Sequence, residues 1–517
     1  MSKEARLLTI ASLSLILLRL LFLLQYCERN PFYTHPILDS TFYLNWADAI
    51  LAGKPFTTEA YHHPPGYAFF LAVVLKIGAD NLFVVLFLQS LMLALQALLV
   101  FFVTRRLFGE RSARVAFLLF SLCGPFVFYS MKILSETLFC TLLLCAFFFL
   151  VRCLQKTNLR DLFLSGLFWG TAIEVRGTAL IYFPAFLFVL WSAGKNRRPA
   201  KAAVFLAAGV LVCVAPVLIR NIAVAGQPTA VASNWGENFY MANNPLATGT
   251  FSAIPNVRAN LQQQVDDVRQ EASRRKGAAL NAQQAQRFWF SQAVHYITGQ
   301  PGAWFKLEAR KIQKLFSWPE ASTIYFYSLE SSHFQPSLGF LFLDYGLVLA
   351  LFFLGLAFLP SIKSAAVPLA FILTHAALML IFWPELRFLL PVMPFLLVVA
   401  GNVARLQVNR KLAMVSVSGI LLSLILNLLP QQGTGGREAW YANAASALIA
   451  NREFQSGEKM ARTSISINNQ YADAWINLGV ALWSQGRKTE ARNAWSVALK
   501  LRPEDPVASK NLTLSGQ

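Results

Sequence analysis

Residues 82–104 read LFVVLFLQSLMLALQALLVFFVT, and Arg105 and Arg106 follow at once. A helix needs ~20 consecutive apolar residues to cross the hydrocarbon of a bilayer, and this run supplies them without a charge. Ten more apolar runs occur, at 7 to 26, 113 to 131, 135 to 151, 159 to 174, 177 to 193, 201 to 219, 337 to 359, 365 to 383, 388 to 404 and 412 to 429. With 56% hydrophobic and only 14% charged residues in 517, the composition excludes a soluble multidomain protein. The expected fold class is all-α, a polytopic membrane bundle of about 11 transmembrane helices over residues 1–430. A net charge of +19 does not point to nucleic acid here, because Lys and Arg gather in short clusters between apolar runs. Arg105, Arg106, Arg111 and Arg114 form one, Arg152, Lys156 and Arg160 another, and Lys195, Arg197, Arg198 and Lys201 a third. That is the positive-inside pattern, which puts the N-terminus and these clusters in the cytoplasm.

The opposite face then carries two long loops, 27–81 and 220–336, and everything after 430. Within the first loop, Pro64 to Lys76 is apolar but too short to span, so a re-entrant helix is expected. In the second, Phe305, Ala309, Ile312 and Phe316 share a helical stripe beside Lys306, Arg310 and Lys314. This pattern suits an interfacial helix on the bilayer or a cover packed over a site. The six cysteines show no CxxC spacing and no His at ligand distance, so neither a disulfide framework nor a metal site is expected.

The tail changes character at residues 431–437, a linker opening Gln431-Gln432-Gly433-Thr434-Gly435-Gly436. A soluble helical domain follows over 438–517. Its spacing of Trp475, Leu478, Gly479, Leu482, Ala491, Trp495, Ala498 and Pro503 is that of a tetratricopeptide repeat, in which small residues let two antiparallel helices touch. Tyr441, Ala445, Leu448, Gly457 and Ser464 repeat it more weakly, and Pro506 to Leu514 reads as a capping helix. Arrays of this kind bind peptides or partner proteins.

Charged residues collect at the outer ends of the apolar runs. Asp39 stands in Leu38-Asp39-Ser40-Thr41-Phe42-Tyr43, and the first outer loop closes on Tyr61-His62-His63-Pro64-Pro65-Gly66-Tyr67. Further along come Lys132 and Glu136, Glu174 and Arg176, Arg220 and Asn221, and Glu385 and Arg387. Outer faces are usually poor in Arg. Several arginines and two histidines beside carboxylates make a site for a phosphate leaving group with a base nearby. Arg19 adds to this, since an arginine inside a spanning helix either serves a site or snorkels to the headgroups.

These pieces, in this order, resemble the GT-C glycosyltransferases of the protein O-mannosyltransferase and aminoarabinose transferase kind, over about residues 1 to 430. The resemblance rests on Leu38 to Tyr43, Ala47 to Gly53, His62 to Tyr67, Leu134-Ser135-Glu136, Glu174-Val175-Arg176, Arg220-Asn221, Asn234-Trp235-Gly236, Asn243-Asn244-Pro245 and Trp383 to Phe388. It implies that Asp39 is the catalytic base and that His63 lies by the donor phosphate. The chain departs from the family's patterns in having Tyr61 where protein mannosyltransferases have an acid. It also has His62-His63 where aminoarabinose transferases have Glu-Lys, so the acceptor is open.

The reading expected from the sequence is an inverting transfer of a sugar from a polyprenyl phosphate to a hydroxyl acceptor, a protein, lipid or envelope glycan. Asp39 takes the proton; His62, His63, Arg176, Arg220, Arg387 and Arg19 bind the donor phosphate; Glu59, Glu136 and Glu385 support them. No GxGxxG or GxxxxGK[ST] stands at a strand-to-helix turn, which fits a lipid donor. No cofactor is expected, and the first loop has no DxD to indicate a divalent metal. Expected partners are the lipid-linked sugar, the bilayer, the acceptor and a protein bound by the repeats, with no nucleic acid. The expected location is a bacterial inner membrane, with site and repeats on the periplasmic side. Two rivals are a flippase for lipid-linked sugar, which predicts charged mid-membrane broken helices in two halves, and a non-catalytic membrane scaffold.

Overall fold

The computed structural model describes residues 3–54, 59–155, 158–192, 199–226, 228–229, 231–257, 261–318, 320, 322–405, 407–429 and 436–514. The linker residues 431–435, and Lys156, Lys195, Arg197 and Arg198 of the basic clusters, lie outside them. Among the described residues the structure is all-α, with one isolated bridge between Cys123 and Leu343. Six helices among the described residues are long and apolar enough to cross a membrane: Leu8–Arg29, Leu82–Phe108, Glu136–Leu154, Ala200–Ala225, Ile362–Ile381 and Arg410–Leu428. They match six of the expected runs.

The other five runs form shorter or interrupted helices, each with a local cause. Residues 113 to 131 split into Glu110–Ser121 and Gly124–Ser130, because Pro125 at the start of the second piece cannot continue the hydrogen-bond ladder of the first. The freed amide of Gly124 donates instead to the Leu343 carbonyl at 3.1 Å, so the break leaves no orphan there. At 337 to 359 the regular helix starts only at Tyr345, capped by Asp344, whose carboxylate accepts from the Leu347 amide at 2.9 Å. Leu159–Val175 is a single helix of 17 residues. Residues 177–193 begin as a 3-10 turn, Gly177–Tyr182, and Pro391 and Pro394 interrupt the run at 388–404. The apolar helix Gly66–Ile77 has the short length expected of it.

By internal contacts the chain forms two compact units, which do not follow the linear boundary at 430. The first comprises Met1–Leu23, Phe42–Pro319 and Phe340–Gly433. One close helix pair, Leu159–Val175 against Pro199–Ala225, is built on glycine: a Cβ on Gly166 would lie 2.0 Å from the Leu206 carbonyl oxygen, and one on Gly209 2.2 Å from that of Phe163. Without a hydrophobic driving force in lipid, such backbone approach is what holds helices together. A buried amide adds specificity. Gln89 accepts from the Tyr67 hydroxyl at 2.8 Å and donates to the carbonyls of Ser130 and Lys132, tying three segments that lead to the site.

The second unit gathers three pieces far apart in sequence, Leu24–Thr41, Glu320–Gly339 and Thr434–Gln517. Asn30 accepts from the Phe32 amide at 3.0 Å to cap a short helix and donates to Glu330 at 2.6 Å. Phe32 then meets Tyr325, Phe334 and Trp440 edge-on, with ring centroids 5.6, 6.3 and 6.1 Å apart, the spacing at which aromatic pairs add to area burial. The helix pairs Arg437–Ala450 with Phe454–Ile467 and Ala472–Ser484 with Lys488–Leu501 form the expected repeats, followed by Pro506–Leu514. At Gly479 an added Cβ would fall 2.3 Å from the Trp495 indole nitrogen, which is why the repeat needs glycine there.

Candidate active site

Pro64 and Pro65 delay the helix that begins at Gly66, so Tyr61 to Pro65 runs as an irregular strap in the first unit. The Tyr61 amide donates to the Asn221 side chain at 3.2 Å, and its carbonyl accepts from the Ser233 amide at 3.0 Å. The two histidines that follow have different fates. His62 donates through Nε2 to Glu237 at 3.0 Å. That carboxylate is fully buried and also accepts from Gln286 at 2.8 Å and Gln264 at 3.3 Å. His63 meets the Asn234 amide nitrogen at 3.1 Å through Nδ1, while its buried Nε2 makes no hydrogen bond among the described residues. Burial, and then the neighbouring His62, hold the His63 imidazole well below its usual range, so it is neutral at pH 7. With Nδ1 accepting from Asn234, the single proton sits on Nε2, leaving an unspent donor.

Gly66 brings a second motif against this strap. A Cβ there would lie 2.7 Å from the Glu174 carbonyl oxygen and 3.0 Å from the Val175 nitrogen. The Glu174-Val175-Arg176 end of the helix Leu159–Val175 thus touches the start of the helix Gly66–Ile77, and both carboxyl oxygens of Glu174 are buried without a hydrogen bond among the described residues. Arg176 donates to Glu136 at 2.6 Å and to Ser135 at 3.4 Å, both through Nη1. Its guanidinium carbon lies 4.9 Å from the Phe388 ring centroid, and that of Arg387 lies 4.5 Å from the same centroid. Arg387 in turn faces Glu385 at 3.5 Å. Phe388 thereby places two arginine-carboxylate pairs around one aromatic ring. Arg220 donates to the Glu59 carbonyl at 2.8 Å and stacks over Tyr61 at 4.1 Å. Burial raises the Tyr61 hydroxyl above its usual range, Arg220 lowering it and Glu174 adding to the rise.

His62, His63, Glu136, Arg176, Arg220, Glu385 and Arg387 all fall in the first unit, in these linked contacts. Three other candidates do not join them in the same way. Asp39 falls in the second unit, at the start of the helix Asp39–Leu51 and just after Leu38, whose φ of 47° is left-handed. A non-glycine residue there costs on the order of 1–3 kcal/mol, and such strain collects at functional sites. Arg19 is buried within its helix, near Cys123 at the Leu122–Cys123 break, and none of its three guanidinium nitrogens makes a hydrogen bond among the described residues. Snorkelling to the surface is therefore not its arrangement. The Glu59 carboxylate turns to Arg269 at 2.8 Å.

Sequence reasoning missed Glu237 and Gln286, which hold the strap. Gly236 was the available signal: a Cβ there would lie 2.0 Å from the Gln286 carbonyl oxygen. On the helix Pro301–Leu315 the apolar stripe forms the outer face. Phe305 and Ile312 are exposed, whereas Leu307, Lys311 and Lys314 turn inward. Lys311 is satisfied there by Glu308 at 2.7 Å, the Leu380 carbonyl at 2.8 Å and Asn243 at 3.1 Å. Lys314 is held below its usual range by burial and Arg310, against the pull of Glu385.

Residues 62–219 match the family described as dolichyl-phosphate-mannose-protein mannosyltransferase, and residues 472–505 match the tetratricopeptide repeat. The chain joins a mannosyltransferase-like segment to a tetratricopeptide repeat. The resemblance read from the sequence is borne out at that level. The mannosyltransferase-like segment contains His62, His63, Glu136 and Arg176; Asp39, Arg19, Glu59, Arg220, Glu385 and Arg387 lie beyond it. ArnT from Cupriavidus metallidurans bound to undecaprenyl phosphate is 13% identical, with a TM-score of 0.45, over 99% of this chain and 75% of that one. The Archaeoglobus fulgidus oligosaccharyltransferase in the apo form is 13% identical, with a TM-score of 0.42, over 86% of this chain and 59% of that one. This chain thus spans less than two thirds of the oligosaccharyltransferase's length. No curated protein sequence matches.

Proposed function

We propose that this protein moves a hexose or pentose from a polyprenyl phosphate to a hydroxyl of a protein, lipid or envelope glycan, on the membrane face opposite the basic clusters. One observation carries the reading: within the segment that matches a dolichyl-phosphate-mannose-protein mannosyltransferase family, His63 keeps a buried Nε2 donor with no hydrogen bond among the described residues. A buried unsatisfied donor costs about 1–3 kcal/mol, and a phosphate oxygen is a partner that removes the cost.

In this reading the acceptor oxygen bonds to the anomeric carbon as the bond from that carbon to the phosphate oxygen breaks. The hydroxyl proton passes to Asp39, and polyprenyl phosphate leaves with the electron pair. A single displacement inverts the anomeric centre. Base catalysis contributes ~10²- to 10⁴-fold, and stabilising the growing phosphate charge usually contributes more. That task falls to the His63 donor and to Arg176, Arg220 and Arg387, the first and last oriented by Glu136 and Glu385. His62, committed to Glu237, steadies the strap. Arg19 is assigned to the same phosphate, because a buried guanidinium with no hydrogen bond among the described residues calls for an anion.

The test is the purified full chain in proteoliposomes loaded with polyprenyl-phosphate mannose and other lipid-linked sugars. Release of polyprenyl phosphate, with sugar on an added acceptor or on water, is expected. A chain that moves these lipids between leaflets and leaves the sugar-phosphate bond intact would instead be a flippase.

A further inference from the structure

The repeat module belongs to the same compact unit as Asp39, and the packing inside that unit gives the module a second task. Tyr325 is the centre of it. Its hydroxyl lies 3.0 Å from the Ser40 hydroxyl, is hydrogen-bonded by the backbone at Ile37 and stands within charge range of Asp39. The Tyr325 ring packs edge-on to Phe32 at 5.6 Å, and Phe32 packs edge-on to Trp440 at 6.1 Å. Trp440 sits one turn into the first repeat helix, Arg437–Ala450, and is fully buried. Phe334 and His333 close around it at 5.8 and 5.6 Å.

Two further contacts bind the repeats to the same pieces. The Thr34 hydroxyl donates to the Asn451 side chain at 3.0 Å. At Gly436, φ is 106°, and an added Cβ would lie 3.0 Å from the Ser322 carbonyl oxygen, so the entry to the repeat helix rests on the backbone just before Tyr325. Ser322 itself donates to the Tyr325 carbonyl at 2.6 Å. The residues from Ile37 to Ser40, including the left-handed Leu38, therefore keep their conformation against a scaffold whose far wall is the first repeat.

The geometry points to Trp440 as a positioning residue: through Phe32 and Tyr325, the first repeat helix fixes the backbone of residues 37–40 and so aims the Asp39 carboxylate. The inference rests on Asp39 being the base of the proposed transfer. It assigns the repeats a part in turnover itself, beyond the capture of a partner. Removing the indole leaves Phe32 and Tyr325 without their backing, and Leu38 is then free to relax from its strained conformation.

The experiment compares Trp440→Ala, Trp440→Phe and Trp483→Ala in the full chain, reading hydrogen exchange over residues 30–41 and steady-state transfer from polyprenyl-phosphate sugar. For Trp440→Ala, exchange at 30–41 should quicken about tenfold or more, and kcat should fall by a similar factor with the donor KM within about threefold, since the phosphate groups are untouched. Trp440→Phe should restore most of both. Trp483→Ala, in the second repeat, should change neither. Unchanged exchange at 30–41 in Trp440→Ala overturns the proposal, as does faster exchange with kcat intact or an equal effect of Trp483→Ala. If the wild-type chain transfers no sugar, the functional reading fails, and the exchange arm still decides whether the first repeat holds this segment.

Discussion

The strap His62–Gly66 in the first unit and the segment Asn30–Thr41 in the second are both partly buried connecting stretches, and their polar groups are satisfied in opposite ways. Along Asn30–Thr41 the side-chain hydrogen bonds of Asn30, Ser40 and Thr41 close on the protein. Asn30 serves Phe32 and Glu330, Ser40 meets Tyr325, and the Thr41 hydroxyl donates to the Pro36 carbonyl at 2.6 Å. In the first unit they stop short: among the described residues, His63 keeps an unspent Nε2 and Glu174 two unbonded oxygens. Buried polar groups without a partner are few in folded proteins, and each calls for an explanation. On the proposed reading, the first stretch is built to receive a ligand and the second to present a single reactive carboxylate.

The largest expected effect tests the scaffold's cargo. Asp39→Asn keeps the shape of the side chain but cannot take a proton, so turnover should fall by about 10²- to 10⁴-fold, with exchange protection of residues 30–41 unchanged. An amide variant that keeps more than a few per cent of wild-type kcat would remove Asp39 from the chemistry and leave the second unit as packing alone.

Next comes the difference between the two histidines. A hydrogen bond to a charged group is worth about 1.5–3 kcal/mol, so His63→Ala should cost about 10- to 100-fold in kcat/KM for the donor. His62→Ala should cost less in rate and more in thermal stability, because it strips a partner from the buried Glu237. The reverse ranking would mean that the strap binds through His62 and that the open Nε2 is incidental. Gly66→Ala probes the junction itself. The new methyl would sit 2.7 Å from the Glu174 carbonyl oxygen, so the strap and the Arg176 turn must part, at about 1–3 kcal/mol. Several-fold loss of turnover with a lowered unfolding temperature is expected, and a silent variant would show that the two motifs need no fixed spacing.

What was legible in the sequence was what depends on composition and short range. Uncharged runs such as Leu82 to Thr104 announce membrane helices, and the Gly479 and Trp495 spacing announces a repeat, because each is decided within one helix or one helix hairpin. The strap was legible as two prolines after two histidines. Its division of labour was not, since Glu237 and Asn234 lie more than a hundred residues away and nothing local says which imidazole each will face. The inward face of the helix Pro301–Leu315 stayed hidden for a related reason. Lys311 is long enough to reach Asn243 and the Leu380 carbonyl, so the inward face is polar and the apolar stripe turns out. The second unit was the least legible of all, being closed by Phe32, Tyr325 and Trp440 from three remote segments.

The smallest expected effect concerns how tightly that unit closes as pH changes. Glu320 accepts from the amides of Tyr327 and Ser328 at 2.7 and 3.0 Å and from the Ser328 hydroxyl at 3.0 Å. Burial nevertheless raises its carboxyl from 4.5 to about 7; the bonds from Ser328 and Tyr327 offset part of the rise and the charge of Glu330 adds to it. A carboxyl raised in the folded state binds its proton more tightly there than in the unfolded chain. Its contribution to stability is therefore complete below pH 4.5 and is lost as pH rises through about 7. Proteolysis within residues 320–339 should accordingly be slower at pH 6 than at pH 8, after correction for the protease's own pH dependence. Glu320→Gln, which is neutral at both values, should flatten the difference while leaving the protein folded at each. A pH response that survives this substitution would place the titrating group elsewhere in the unit.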